Sequence, residues 1–119
     1  MDNIRLETQR RVYNYAKNIV LFAEKLDKKS TTQIIAKQLV HSGTSVTANM
    51  IEARGVSSKK DFANFFHYSL KSANETKLWL ALIRDTSPNQ KTEAEKLLKE
   101  TVEISNILAA SLLTMKKRR

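Results

Sequence analysis

Apolar side chains recur along almost the whole chain at alternating steps of three and four, starting with Val12, Tyr15, Ile19, Phe22 and Leu26. That spacing keeps side chains on one face of an α-helix. A second stripe runs through Ile35, Leu39, Ser42, Val46, Asn49 and Ala53, and a third through Phe62, Phe66, Ser69, Ala73, Thr76, Leu80 and Ile83. A fourth takes Ala94, Leu97, Thr101, Ile104, Leu108, Ser111 and Met115. No segment alternates apolar and polar residues as a half-buried strand would, and no internal repeat or low-complexity linker interrupts the stripes. The pattern predicts helices over about residues 8–28, 31–54, 58–85 and 89–116.

Local signals are expected to set the boundaries. Lys28 and Lys29 suit the C-terminal end of the first helix dipole, and Ser30 or Thr31 is a candidate cap for the second. Gly55 is a stop signal, and Ser58 with Asp61 three residues on resembles a capping box. The single proline, Pro88, breaks one helix and fits the first turn of the next. Four helices joined by short turns make an all-α, up-down-up-down antiparallel bundle, with residues 1–119 as one domain.

Composition agrees. Two glycines and one proline are too few for a loop-rich or all-β chain of 119 residues. With no cysteine there is no disulfide, no thiolate nucleophile and no cysteine-based zinc site, which fits a cytoplasmic protein. The charged start MDNIRLETQRR has no signal-peptide character, and no apolar run approaches the roughly 18 residues that span a bilayer, so no membrane partner is expected.

The fourth helix is apolar on more than one side. Ile104, Ile107, Leu108, Ala109, Leu112, Leu113 and Met115 occupy well over half its circumference. A second apolar surface needs a second partner, and another copy of the same chain is the default expectation.

A row of polar residues also needs explaining. In HSGTSVTANMIEARG and the residues before it, Gln38, Ser42, Ser45, Asn49 and Glu52 line up at helical spacing, and Ser72 and Glu75 do the same on the third helix. One reading is an active site and the other a structural seam in which small side chains let helices approach and polar groups fix their register. In the seam reading Glu52 and Glu75 are buried and each requires a hydrogen-bond donor.

Catalytic and metal motifs are missing from the sequence. There is no Glu-x-x-His pair for a di-metal bundle site, no H-E-x-x-H, no phosphate-binding G-x-x-x-x-G-K and no G-x-S-x-G. His41 and His67 stand alone, and Tyr68 and Trp79 suit a packed edge better than a base-stacking platform. The expectation is a non-enzymatic protein without cofactor or metal, with the polar row as a structural seam.

Charge is the strongest pointer to a partner. Twenty-one Lys and Arg against 12 Asp and Glu give a net charge of +9. Residues 1–29, 30–56, 57–88 and 89–119 carry net +3, +1, +2 and +3, so no segment is acidic. Such a surface attracts phosphate backbones without reading sequence. Candidate phosphate contacts are Arg10, Arg11, Lys28, Lys29, Lys59, Lys60 and the tail Lys116, Lys117, Arg118 and Arg119.

Taken together, Gln38-Leu-Val-His-Ser42, Ser45-Val46, Asn49-Met-Ile-Glu52, Ser58 with Asp61-Phe62, and Ser72 with Glu75 resemble the four helix bundle protein family. Its founding members are the 23S rRNA intervening-sequence proteins, and it is similar to the accessory protein of diversity-generating retroelements. His41, Ala53 and Lys71 depart from the family pattern, which usually has Arg, Gly and Gly at those places. The resemblance implies a left-handed up-down bundle, assembled as a barrel-like homopentamer with a basic surface. Members are encoded within insertions in rRNA genes or beside retroelement reverse transcriptases, and most have no established activity. With the positive charge, the expected partner is RNA or ribonucleoprotein, the alternative being a protein such as a reverse transcriptase.

Overall fold

The computed structural model describes residues 4–117, and within them four long helices lie side by side. They are α1 (Leu6–Glu24), α2 (Ser30–Arg54), α3 (Lys59–Thr86) and α4 (Lys91–Lys117), with a 3-10 turn at Pro88–Gln90 leading into α4. The body measures 48 × 23 × 21 Å, as expected for helices of this length packed in parallel. Sequential neighbours pack along their lengths, α1 meets α4 only sparsely, and the diagonal pairs make no close backbone approach among the described residues. That is an up-down-up-down bundle.

Each predicted stripe faces the core. Val12, Tyr15, Ile19, Phe22 and Leu26 are buried from the first, and all seven positions of the third stripe are buried. In α2 and α4 the stripes are buried through most of their length, while Ile35, Asn49, Ser111 and Met115 are half-buried. Phe62 and Phe66 stack with ring centroids 4.7 Å apart and close the core at one end.

Helix ends differ from expectation in two places. α1 stops at Glu24 and is capped by Lys25, so Lys28 and Lys29 lie in the α1–α2 connection and no basic residue sits in the last turn of α1. The α2 N-cap is Lys29, which has no side-chain cap bond. The turn is organised instead by Asp27, whose carboxylate accepts from the Lys29 backbone N–H at 3.0 Å, an Asx-type turn that halts the chain early. The other signals act as expected. Ser58 Oγ accepts from the Asp61 N–H at 3.1 Å, Gly55 caps α2, and Pro88 opens the turn before α4.

Two close approaches set the helix registers. Gly43 lies against α1, where a Cβ would come within 2.8 Å of Ile19 Cγ2, so the absence of a side chain permits the approach. There Thr47 Oγ1 donates to the Val12 carbonyl at 2.6 Å, across to α1. Between α2 and α3, Ser69 Oγ donates to the Val46 carbonyl at 2.7 Å, and Thr76 and Ser42 hydroxyls meet at 2.8 Å.

Candidate nucleic-acid interface

The polar row of α2 shares Ser42 and Asn49 with the predicted stripe, but Gln38, Ser45, Asn49 and Glu52 each stand one residue before a buried position, Leu39, Val46, Met50 and Ala53. One residue is about 100° of helix rotation, so the row turns outward beside the α2–α3 contact. Ser42 is buried, Ser45, Asn49 and Ser72 are half-buried, and Gln38, Glu52 and Glu75 are exposed. The expectation of two buried carboxylates is therefore corrected: in the single chain Glu52 and Glu75 face solvent and need no internal donor. Ser45 Oγ donates to the His41 carbonyl at 2.7 Å and Asn49 Nδ2 to the Ser45 carbonyl at 2.8 Å, both within α2. Apolar residues flank this polar strip. Ile34 and Tyr68 are exposed, Phe65 sits edge-on to Tyr68, and Trp79 is half-buried with its indole N–H enclosed and unpaired.

The buried polar layer lies elsewhere, with one residue from each helix: Tyr15, Ser42, Thr76 and Thr101, none more than 1% exposed. Thr101 Oγ1 donates its only proton to the Leu97 carbonyl at 2.7 Å, so the Tyr15 hydroxyl, 2.6 Å away, is the donor in their contact. Burial pushes the Tyr15 phenol up to about 12. Its sequence signal is at least one hydroxyl in each apolar stripe, recognisable as a layer only when the four stripes are aligned. This layer fixes register and offers no free nucleophile.

The cationic candidates separate into groups. Arg11 is not available to a ligand: its guanidinium donates to both Glu100 oxygens at 2.9 and 2.8 Å and to Glu103 at 2.7 Å, bridging α1 to α4. The Glu100 hydrogen bond raises the Arg11 pKa above its ordinary value, and Arg11 in return holds the Glu100 carboxyl below its usual range. The missed signal was Glu100 and Glu103 three residues apart on one face of α4. Arg10 is exposed on α1. Lys59 and Lys60 are exposed in the first turn of α3, at the same end of the bundle as the exposed Lys116 and Lys117. Lys28 and Lys29 lie at the opposite end, and Arg118 and Arg119 lie outside the described residues.

Two open surface depressions carry paired charges. One, between α3 and α4, is lined by Arg84, Asp85, Lys91, Glu95 and Lys99, with Arg84 bound to Asp85 at 2.8 Å. The other, between α1 and α4, includes Lys25, Glu93 and Glu100, with Lys25 bound to Glu93 at 2.9 Å. Neither brings a nucleophile to a base. Among the described residues there is no cluster of three metal-ligating side chains, and no helix is long and apolar enough to cross a membrane.

Fold and surface together define a basic, all-α four-helix bundle. Residues 5–110 match the 23S rRNA-intervening sequence protein family, and the chain belongs to that family. Its fold is similar to the crystal structure of a protein of unknown function from the S23 ribosomal protein family of Bacteroides thetaiotaomicron. The TM-score is 0.80 and the identity 31%, over 87% of this chain and 96% of that one. No curated protein matches the chain.

Proposed function

We propose that this is a non-enzymatic, homo-oligomeric, cytoplasmic protein that binds RNA or ribonucleoprotein through its basic surface. The observation that carries the reading is a net charge of +9 whose cations are mostly solvent-exposed lysines rather than members of internal ion pairs. Such a surface gains affinity by releasing counterions from a phosphate backbone. A family described by its intervening sequence in 23S rRNA is consistent with an RNA partner. The outward, solvent-facing position of Glu52 and Glu75 supports a non-catalytic role.

Self-association is supported by a separate observation. Leu6, Tyr13, Ile34, Tyr68, Leu78 and Leu113 are each more than half exposed, which leaves apolar surface on all four helices available to a second copy. The same surface favours a second reading, an adaptor that docks a protein partner such as a reverse transcriptase, with the charge steering association. Light scattering with and without ribosomal RNA tests these readings together. A particle larger than one chain that grows on RNA addition is expected, with binding that weakens as salt rises. A monomer with no RNA affinity at about 50 mM salt overturns the proposal, because that is where counterion-driven binding is strong.

A further inference from the structure

The positive charge is not evenly placed along the bundle. At the end formed by residues 5–10, 51–64 and 112–117, seven cations stand against three carboxylates. At the opposite end, residues 20–34 and 82–96, six cations stand against five carboxylates. At the first end Arg5 pairs with Glu7 at 3.6 Å, while at the second end Lys25 is bound to Glu93 and Arg84 to Asp85, and Asp27 lies beside Lys29. The middle holds net +3, but over a longer stretch of all four helices, and its Arg11 is outnumbered by Glu100 and Glu103.

We infer that phosphate binding is concentrated at one end of the bundle, the end where the α2–α3 turn meets the C-terminal turn of α4, with Lys59, Lys60, Lys116 and Lys117 as its contacts. The inference rests on the RNA-binding reading and adds where on the molecule it happens. The long axis is 48 Å, several times the Debye length of about 10 Å at 0.1 M salt, so charge at one end does not help hold a phosphate at the other. Local excess therefore decides, and it is largest at that end, +4 against +1. Arg118 and Arg119 follow directly on Lys117 in the sequence and lie outside the described residues. In an assembly of cyclic symmetry every copy's basic end occupies an equivalent position, so each copy adds one more such site.

The test measures anisotropy of a fluorescein-labelled RNA stem-loop across a salt series with full-length protein. Lys59→Glu with Lys60→Glu, and separately Lys116→Glu with Lys117→Glu, are set against Lys28→Glu with Lys29→Glu, which changes the charge by the same amount at the other end. All six side chains are exposed and none forms a salt bridge among the described residues, and circular dichroism verifies that each variant is folded. Each basic-end pair is expected to weaken binding about tenfold or more near 0.1 M salt and to lower the slope of log K against log salt by about two. The Lys28 and Lys29 pair is expected to stay within about twofold of wild type. Equal losses from both ends overturn the inference and leave RNA binding itself intact. Wild-type protein that does not bind the stem-loop removes the RNA reading and this inference with it.

Discussion

The α2–α3 and α1–α4 contacts are built from different materials. Along α2–α3, small residues and hydroxyls meet: Ser69 donates to the Val46 carbonyl and Thr76 meets Ser42, all buried around Leu39, Ala73 and Leu80. Along α1–α4, backbones approach at few points, and the gap is crossed by Arg11 to Glu100 and Glu103, by Lys25 to Glu93, and by the Tyr15–Thr101 bond. Dry packing is insensitive to ionic strength, whereas partly exposed ion pairs are screened. The bundle therefore has one seam held by shape and one held largely by charge, and α1 gets its firmest attachment from α2.

The largest effect should come from breaking the packed seam. Leu80→Ala removes a fully buried side chain next to the hydroxyl contacts and is expected to cost about 2–5 kcal/mol, read by urea denaturation. A loss below about 1 kcal/mol would mean that the α2–α3 seam is loosely packed.

Gly43→Ala tests whether α1 depends on α2. An alanine gains up to about 1 kcal/mol in helix propensity, but its Cβ would stand 2.8 Å from Cγ2 of Ile19, which is fully buried and stiff at χ1. Overpacking of this kind costs about 1–3 kcal/mol, so a net loss is expected, together with faster amide exchange in α1. A stabilised Gly43→Ala protein would show that α1 can shift freely and that the close approach is incidental.

The sequence made the packed seam legible because helical spacing reports which residues face inward, and all seven third-helix positions are buried as the stripe predicts. The outer polar row was harder. Gln38, Glu52 and Glu75 have the same three- and four-residue spacing as core positions, and spacing does not reveal a 100° offset when Ser42 belongs to both rows. Arg11 was read as a free cation because its partners are 89 and 92 residues away in the chain. Local pattern fixes a face, while the pairing of two faces depends on the order and twist of helices. The same limit hid the asymmetry of charge, since Lys59 and Lys117 come to one end of the bundle only once the chain has turned back between α3 and α4.

Tyr15 offers a smaller, pH-dependent test of the α1–α4 side. Its folded phenol titrates at about 12 against an ordinary value of 10.0, so folding disfavours the tyrosinate. The stabilisation is present below pH 10.0 and is lost as pH rises toward 12. Tyr15→Phe should flatten that alkaline loss while costing only about 1 kcal/mol at neutral pH, because Thr101 keeps its bond to Leu97. An unchanged alkaline limb in the variant would place the sensitivity elsewhere.

Arg11→Gln is expected to have the smallest effect at neutral pH and to be the most informative about salt. The side chains of Arg11 and Glu100 are about one-third exposed, so the pair is worth only about 0.2–1 kcal/mol, and the difference from wild type should shrink toward 1 M salt. Glu100 has its folded pKa held below its ordinary value of 4.5 by Arg11, so it stabilises the fold above that pH and stops doing so as pH falls through the depressed folded value. Acid denaturation of wild type should therefore include a component below about pH 5 that Arg11→Gln lacks. Hydrogen exchange should show α1 opening more readily in the variant while α2 and α3 keep their protection. Loss of protection in all four helices together would mean that the charged seam is not separable from the packed one and that the bundle opens as a single unit.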